Sequence, residues 1–278
     1  MSGDEAAAEP ALSVLIRCRD ERAGIGSLLD VLRAQTLGER LEVVVIDSGS
    51  RDGTIEEVLR RRIEPLRIDA ADFSYGRALN RAAAEARADV CVAISAHALP
   101  PDREWAKRMV AAFDDPRVAC AFGERCDPWL RPLTAPLLQD AAHARRHPFY
   151  GYSNSAGGFR RALWVQHPFD EQLAAAEDKE WAWHWLTRGQ LVLLDPTLAV
   201  HHSHRDEGPL RTFRRARADF AAQRGLLAGD DDVRLPRPSP AELAREWWRG
   251  PHAHRSAARA RLDPRRVGML LGKWFALR

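Results

Sequence analysis

Cysteine is scarce, four residues in 278, and Cys18, Cys91, Cys120 and Cys126 show no C-x-x-C spacing. That pattern argues against a zinc knuckle or a disulfide framework and fits a reducing compartment. Cys18 and Cys91 fall inside apolar strand-like segments, where a thiol packs as a small hydrophobe. Long apolar runs are also missing. Stretches such as Val43-Val44-Val45-Ile46 lie far below the roughly 20 residues that cross a bilayer. Met1 to Pro10 carries Asp4 and Glu5 with neither a basic cluster nor an apolar run, so no secretion signal is expected. There is no G-x-G-x-x-G after the first strand-like segment and no G-x-x-x-x-G-K-[ST], which removes the main support for dinucleotide and P-loop readings. The expectation is a protein that neither spans a membrane nor is secreted, and that works in the cytoplasm.

What remains is the composition of a folded protein: 45% apolar, 29% charged and 8% aromatic residues, in a chain long enough for one ordinary domain or two small ones. The net charge of +3 is unevenly spread. Arg245 to Arg278 holds nine Lys/Arg and two Asp/Glu, giving +7, so the remainder carries −4. Such asymmetry points to an anionic surface as the tail's partner.

The first 120 residues alternate between two periods. Strands are expected at 12–18, 41–46, 66–69, 90–95 and 118–122, with helices near 22–35, 54–62, 77–87 and 102–113 between them. This rhythm predicts right-handed crossovers and an α/β, mostly parallel sheet with helices on both faces. Ligands then bind at the carboxyl ends of the strands, where Arg19-Asp20-Glu21, Asp47-Ser48-Gly49 and Ser95-Ala96-His97 lie. After Glu124 the rhythm changes. A helix is expected over 137–146, then a Gly-rich stretch at 150–159, a helix opening near Glu177, strands at 191–194 and 198–200, and helices near 210–225 and 241–249.

Asp47-Ser-Gly-Ser-Arg-Asp-Gly-Thr54 follows the second strand directly. A carboxylate there can accept hydrogen bonds from a base imide or a ribose, and Ser48 and Gly49 let the backbone approach a ligand. The same residues also suit a plain turn in which Ser50 or Asp52 caps the next helix. Glu177 and Asp178 open a helical stretch, with Trp181 and Trp185 at i+3 and i+7 from Asp178 as walls of a pocket, or equally as the core face of an amphipathic helix.

The segments Leu12–Cys18, Asp20-Glu21, Val44-Val-Ile-Asp-Ser-Gly-Ser-Arg-Asp-Gly-Thr54 and Gly76-Arg-Ala-Leu-Asn80 resemble the nucleotide-sugar-binding half of a family-2 glycosyltransferase. Pro168-Phe-Asp-Glu171 and Glu177-Asp-Lys-Glu-Trp181 are similar to that family's acceptor side, and the whole is similar to its rhamnosyltransferase-like bacterial branch. The resemblance covers 11–205. It implies a GT-A fold, a Rossmann-like αβα sandwich (nucleotide half 11–123) with a smaller acceptor part (124–205), leaving 206–278 as a basic helical extension. It implies an inverting transferase that moves a sugar from a nucleoside-diphosphate sugar to a glycan or lipid-linked acceptor. Asp178 is then the base, beside Glu177, and Arg17, Arg19, Glu21, Asp47, Ser48, Gly49, Arg77, Asn80 and Ser95 serve the donor.

One departure stands out. Where the family places Asp-x-Asp for a divalent metal, this chain has Ser95-Ala96-His97. Losing both carboxylates removes the oxygen ligands Mg²⁺ prefers, whereas imidazole suits Mn²⁺ better. Two outcomes follow: His97 with His202 or His204 holds a metal, or cations such as Arg77 alone neutralise the departing diphosphate. On an extended segment 202 and 204 project to one face and 201 to the other. In the tail, Trp247, Trp248, Met269, Leu270, Leu271, Trp274, Phe275 and Leu277 interleave with Arg and Lys. That suits either the anionic inner face of the cytoplasmic membrane or packing on the domain, and no nucleic-acid module accompanies the charge. The rivals are a non-catalytic nucleotide-sugar-binding or scaffolding protein, favoured by the missing Asp-x-Asp, and a nucleotidyltransferase, disfavoured by the lack of a Gly-rich basic loop after the first strand.

Overall fold

The computed structural model describes residues 9–202, 208–235, 239, 241 and 264–277. The chain opens with β1 (Leu12–Cys18), α1 (Arg22–Arg33), β2 (Leu41–Asp47), α2 (Thr54–Leu59), β3 (Leu66–Arg67), α3 (Tyr75–Glu85) and β4 (Val90–Ser95). β1 runs parallel between β2 and β4, with Leu12 opposite Leu41 and Ser13 opposite Cys91. Its period of two divides the core. Val14 and Ile16 pack with Ile25 and Leu28 of α1, whereas Leu15 joins Leu79 of α3. A strand covered on both faces has no solvent side to make polar, which explains the continuous apolar runs. Ser13 is the exception and is fully engaged: its Oγ donates to Glu42 Oε2 at 2.6 Å and accepts from Ala88 N at 3.0 Å.

Next come β5 (Ala98–Leu99), α4 (Trp105–Ala111), β6 (Val118–Phe122), β7 (Leu137–Gln139), α5 (Ala141–Arg146), β8 (Ala156–Arg160), α6 (Arg161–Gln166), α7 (Glu177–Leu186), β9 (Leu191–Leu194) and β10 (His201–His202). One sheet carries the order β3-β2-β1-β4-β8-β6-β9-β7, in which β8 and β7 are antiparallel to their neighbours and the other pairs are parallel. Helices on both faces complete the mostly parallel αβα sandwich that the sequence predicts. β5 and β10 form a separate antiparallel pair.

Three local expectations differ from the structure. Residues 137–139 form a strand against β9, and the helix starts only after Asp140, whose carboxylate accepts from His143 N at 2.7 Å. Residues 198–200 are not a strand: Asp195 and Pro196 instead open a 3₁₀ turn over Pro196–Leu198, with Thr197 N on Asp195 at 2.8 Å. The Gly-rich stretch supplies β8, in the middle of the sheet. There Gly157 and Gly158 are required by close approach. A Cβ at 157 would sit 2.3 Å from Ser153 O, and one at 158 would sit 2.7 Å from Met109 Sδ.

Two C-terminal helices, α8 (Pro209–Leu227) and α9 (Pro264–Leu277), pack on one another, with Leu270 buried and Phe213 edge-on to Phe275 at 6.0 Å. α8 and the residues after it meet α5 and the segment that follows it through Phe149–Phe220 (5.4 Å) and the Arg145–Asp230 ion pair (3.0 Å). His204, Trp247, Trp248 and most of the expected 241–249 helix lie outside the described residues.

Candidate active site

The start of α7 is the focus. Ala176 precedes it in the left-handed region (φ 66°), and Glu177, Asp178 and Glu180 occupy its first turn. There the unpaired N–H groups of the helix favour negative charge. Asp178 Oδ2 accepts from Asn154 N at 3.0 Å and Oδ1 from Lys179 N at 2.8 Å. Lys179 Nζ reaches back to Tyr152 O at 2.5 Å, so the loop leading into β8 fixes both residues. The next residue of that loop, Ser155, accepts from Ser95 N at 2.9 Å. Adjacent loop residues thus tie the end of β4 and the Asp178 carboxylate together.

Glu177 is different in kind. It is 4% exposed, and its Oε1 accepts from Arg17 Nη1 (3.2 Å) and Asn154 Nδ2 (3.3 Å). Burial above all, and then the neighbouring Asp178 charge, push its carboxyl above the usual range, against the pull of Arg17. Arg17 leaves the end of β1, donates to Tyr75 O at 3.4 Å and lies over the Tyr75 ring at 4.9 Å. It joins the ends of β1, α3 and α7.

At the far side of β4, Glu21 Oε1 lies 3.0 Å from His97 Nδ1, and His97 Nε2 lies 2.9 Å from His202 Nε2 with the rings stacked. The β5–β10 pairing brings the two histidines together across 105 residues of sequence, placing His202 opposite Ala98. A neutral set satisfies this chain: His97 Nδ1–H donates to Glu21 and His202 Nε2–H to His97. The carboxylate behind one imidazole and the facing second imidazole also form the donor arrangement of a carboxylate–histidine–metal site. The structure thus brings His97 and His202 into contact.

Other expected donor residues are placed differently. Asp47 is 0% exposed; its oxygens accept from Gly49 N (2.9 Å), Ser50 N (3.0 Å) and Ser50 Oγ, so in this conformation it organises its own loop rather than facing a ligand. Ser48 is buried and its Oγ donates to Cys18 O at 3.3 Å. Gly49 takes φ 93°, which lets this turn close. Arg19 is exposed beside it. Asn80 does not face the donor side with its amide. Its Nδ2 donates to Phe169 O and Glu171 Oε1, and its Oδ1 accepts from Trp164 Nε1 and Phe169 N, all at 2.9–3.0 Å. Arg77 pairs with Glu171 at 2.8 Å and donates to Asp72 O. Both residues therefore couple α3 to the segment ahead of α7. Trp181 and Trp185 are core, not pocket walls: Trp181 is 0% exposed, packs edge-on to Phe159 and tilted against Phe169, and donates Nε1 to His167 O at 2.6 Å.

Sequence reasoning missed Asn154, Ser155, Tyr75 and Lys179. The polar run Ser153-Asn-Ser155 ahead of a Gly pair was the available signal, since it marks the mouth of a strand pressed between two layers.

The profile of glycosyl transferase family 2 matches residues 13–147. The chain is 28% identical over 200 residues to the O-antigen chain rhamnosyltransferase RfbN of Salmonella typhimurium, covering 64% of this chain and 62% of that protein. It is 35% identical over 115 residues to the succinoglycan biosynthesis protein ExoA of Rhizobium meliloti, covering 40% and 34%. The chain thus spans less than two thirds of the length of these curated relatives. Among solved structures, the mannosyltransferase PcManGT of Pyrobaculum calidifontis, in complex with GDP-Man and Mn²⁺, superposes with a TM-score of 0.66 at 20% identity over 97% of this chain and 86% of that one. TarS of S. aureus (residues 1–349) gives 0.57 at 15% identity over 93% and 90%. The matched profile spans β1 through α5, and the solved transferases share the fold over most of the chain: the chain is similar to glycosyltransferase family 2 across its alternating half.

Proposed function

We propose that this protein transfers a sugar from a nucleoside-diphosphate sugar to an acceptor hydroxyl with inversion, in the synthesis of a cell-envelope polysaccharide or glycolipid, and that 11–205 is the catalytic unit. The carrying observation is the Asp178 carboxylate, aimed by Asn154 N and tied through Ser155 to the end of β4. A base must lie within hydrogen-bond reach of the proton it takes, in a defined pose. In the reaction the acceptor oxygen attacks the anomeric carbon, its proton passes to Asp178, and the bond to the diphosphate breaks with its electron pair leaving on phosphate oxygen. A single in-line displacement inverts the carbon. Glu177 is unsuited to this role because it is buried and its Oε1 is already held by Arg17 and Asn154.

His97 and His202 would hold a divalent metal, with Glu21 orienting His97 and His204, two residues on in the sequence, as a further candidate. Two imidazoles and no carboxylate ligand favour Mn²⁺ over Mg²⁺. When bound, the ion supplies positive charge for the departing diphosphate. The PcManGT complex supports a nucleotide sugar with Mn²⁺ in this fold, and the polysaccharide acceptor is supported by the similarity to an O-antigen chain rhamnosyltransferase and a succinoglycan biosynthesis protein. Nucleoside-diphosphate release across a panel of GDP-, UDP- and dTDP-sugars with lipid-linked acceptors tests the reading. Release with one donor class, dependent on acceptor and raised by Mn²⁺, is expected. Donor binding without release under any pairing would instead make the chain a binding protein.

The C-terminal helices are proposed to rest on an anionic membrane. α9 exposes Val267, Met269, Leu271 and Phe275, and α8 exposes Leu210 beside Arg211 and Arg214. Among the described residues no helix is long and apolar enough to cross a membrane. Co-sedimentation with phosphatidylglycerol vesicles, but not phosphatidylcholine vesicles, is expected, and Leu271→Glu with Phe275→Glu should abolish it. Equal recovery with both vesicle types would refute the contact.

A further inference from the structure

The same helix that presents Asp178 carries a second group of ligating side chains, on residues the proposed chemistry leaves unused. Glu180 and His184 are four apart on α7 and so share a face. His167, which closes α6, lies against them. Its Nε2 is 3.0 Å from Glu180 Oε1 and 3.2 Å from Oε2, and its ring lies parallel to that of His184 with centroids 3.5 Å apart. One ligand atom from each of the three residues can be chosen so that all lie within 4.8 Å of one another. Among the described residues this is the only cluster of three His, Cys, Asp or Glu side chains that meets this spacing.

Three features make it more than a surface encounter. His167 is held at both backbone groups, its N–H on Leu163 O (3.0 Å) and its C=O accepting from Trp181 Nε1 (2.6 Å), so its ring is delivered from a fixed position. The side chains of His167 and Glu180 are 29% and 18% exposed, partly stripped of water but still reachable. The donor set is two imidazole nitrogens and one carboxylate oxygen from two rigid elements. That is the three-ligand set of zinc-class ions with one position left for water, and it is a poor set for Ca²⁺ or Mg²⁺, which take oxygen. Other charges nearby are Arg188, whose Nη1 donates to His184 O at 2.9 Å, and Asp170, which offsets it.

We infer that His167, Glu180 and His184 form a binding site for a divalent transition-metal ion of the zinc class, separate from the His97–His202 pair, that clamps the end of α6 to α7. Donor atoms around a tetrahedral zinc at about 2.0–2.2 Å lie some 3.3–3.6 Å apart. The His167–Glu180 separations already approach this, and the ion closes the set by taking the place of the proton between them and tilting the two rings out of their stack. The clamp acts two residues beyond Asp178, on the helix whose first turn must hold that carboxylate still.

The test uses the full chain, chelator-treated, with His97→Ala and His202→Ala to remove the other histidine pair. Co²⁺ titration should give a saturable visible ligand-field spectrum at one equivalent, displaced by Zn²⁺, with a rise in melting temperature. Adding His184→Ala should weaken Co²⁺ binding at least about 10-fold, the lower end of what losing even an outer-shell partner costs. Glu180→Gln should do the same and serves where the alanine variant folds poorly by circular dichroism. No saturable spectrum in the double-histidine variant, or an unchanged affinity after His184→Ala or Glu180→Gln, would overturn the site. Neither outcome bears on transfer activity, so the test stands apart from the proposed function.

Discussion

Asp178→Asn should lower sugar transfer by ~10²–10⁴-fold, the range that a positioned acid–base group contributes, while leaving the fold and donor affinity intact. The asparagine oxygen can still accept from Asn154 N, which now meets Asp178 Oδ2 at 3.0 Å, so the loop that also anchors Ser95 keeps its place. What disappears is the lone pair basic enough to take the hydroxyl proton. The loss should therefore appear in kcat rather than in donor binding, since the donor's diphosphate is proposed to lie toward His97. Nucleoside-diphosphate release under saturating donor and acceptor reads the first, and ligand-induced thermal stabilisation reads the second. A variant that folds and transfers at the wild-type rate would remove Asp178 from the mechanism.

The parallel half of the fold was legible because its strands are covered on both faces and its helices on one. That leaves β1 and β2 as apolar runs and α1 as a clean 3.6-residue pattern with Ile25, Leu28, Leu29 and Leu32 inward. β8 was hidden for the opposite reason. Gly157 and Gly158 carry no side chains to show a period, and their role comes from Tyr152, Met109 and Phe113 pressing in from both layers. Leu137–Gln139 looked helical because the helix that follows is real, and only the capping role of Asp140 separates the two.

The site was legible in part. An acidic pair at the start of a helix is a local signal, and the resemblance to the family singles out Asp178 within it. Its orientation depends on Asn154 and Ser155, 20-odd residues earlier in the chain, and no periodicity reports such a link. His97 and His202 were read as candidates from their place after strands, but the contact between them arises from β5–β10 pairing across 105 residues. Asp47 shows a competing local demand. A carboxylate after a parallel strand reads as ligand-facing, yet the turn's own N–H groups need an acceptor and take it first.

Asn80→Ala should cost roughly 2–4 kcal/mol of folding stability, because it leaves buried groups without partners at about 1–3 kcal/mol each. Trp164 Nε1 and Phe169 N both donate to Asn80 Oδ1, and Phe169 O accepts from its Nδ2; Trp164 and Phe169 are themselves buried, so water cannot readily replace the amide. Four hydrogen bonds from one side chain fasten α3 to the segment that leads into α7, and hence to Asp178. The resemblance to the family assigns this position to the donor, and the two roles make opposite forecasts. A donor contact would, on removal, weaken nucleotide-sugar binding with little change in melting temperature. A fastening residue lowers the urea midpoint and leaves the affinity of the remaining folded protein nearly unchanged. Arg77→Ala is the control: its pairing with Glu171 is solvent-exposed on both sides, so its stability loss should be much smaller. Urea denaturation of both variants, with donor binding measured well below the midpoint, decides it, and an unshifted midpoint for Asn80→Ala would return that residue to the donor.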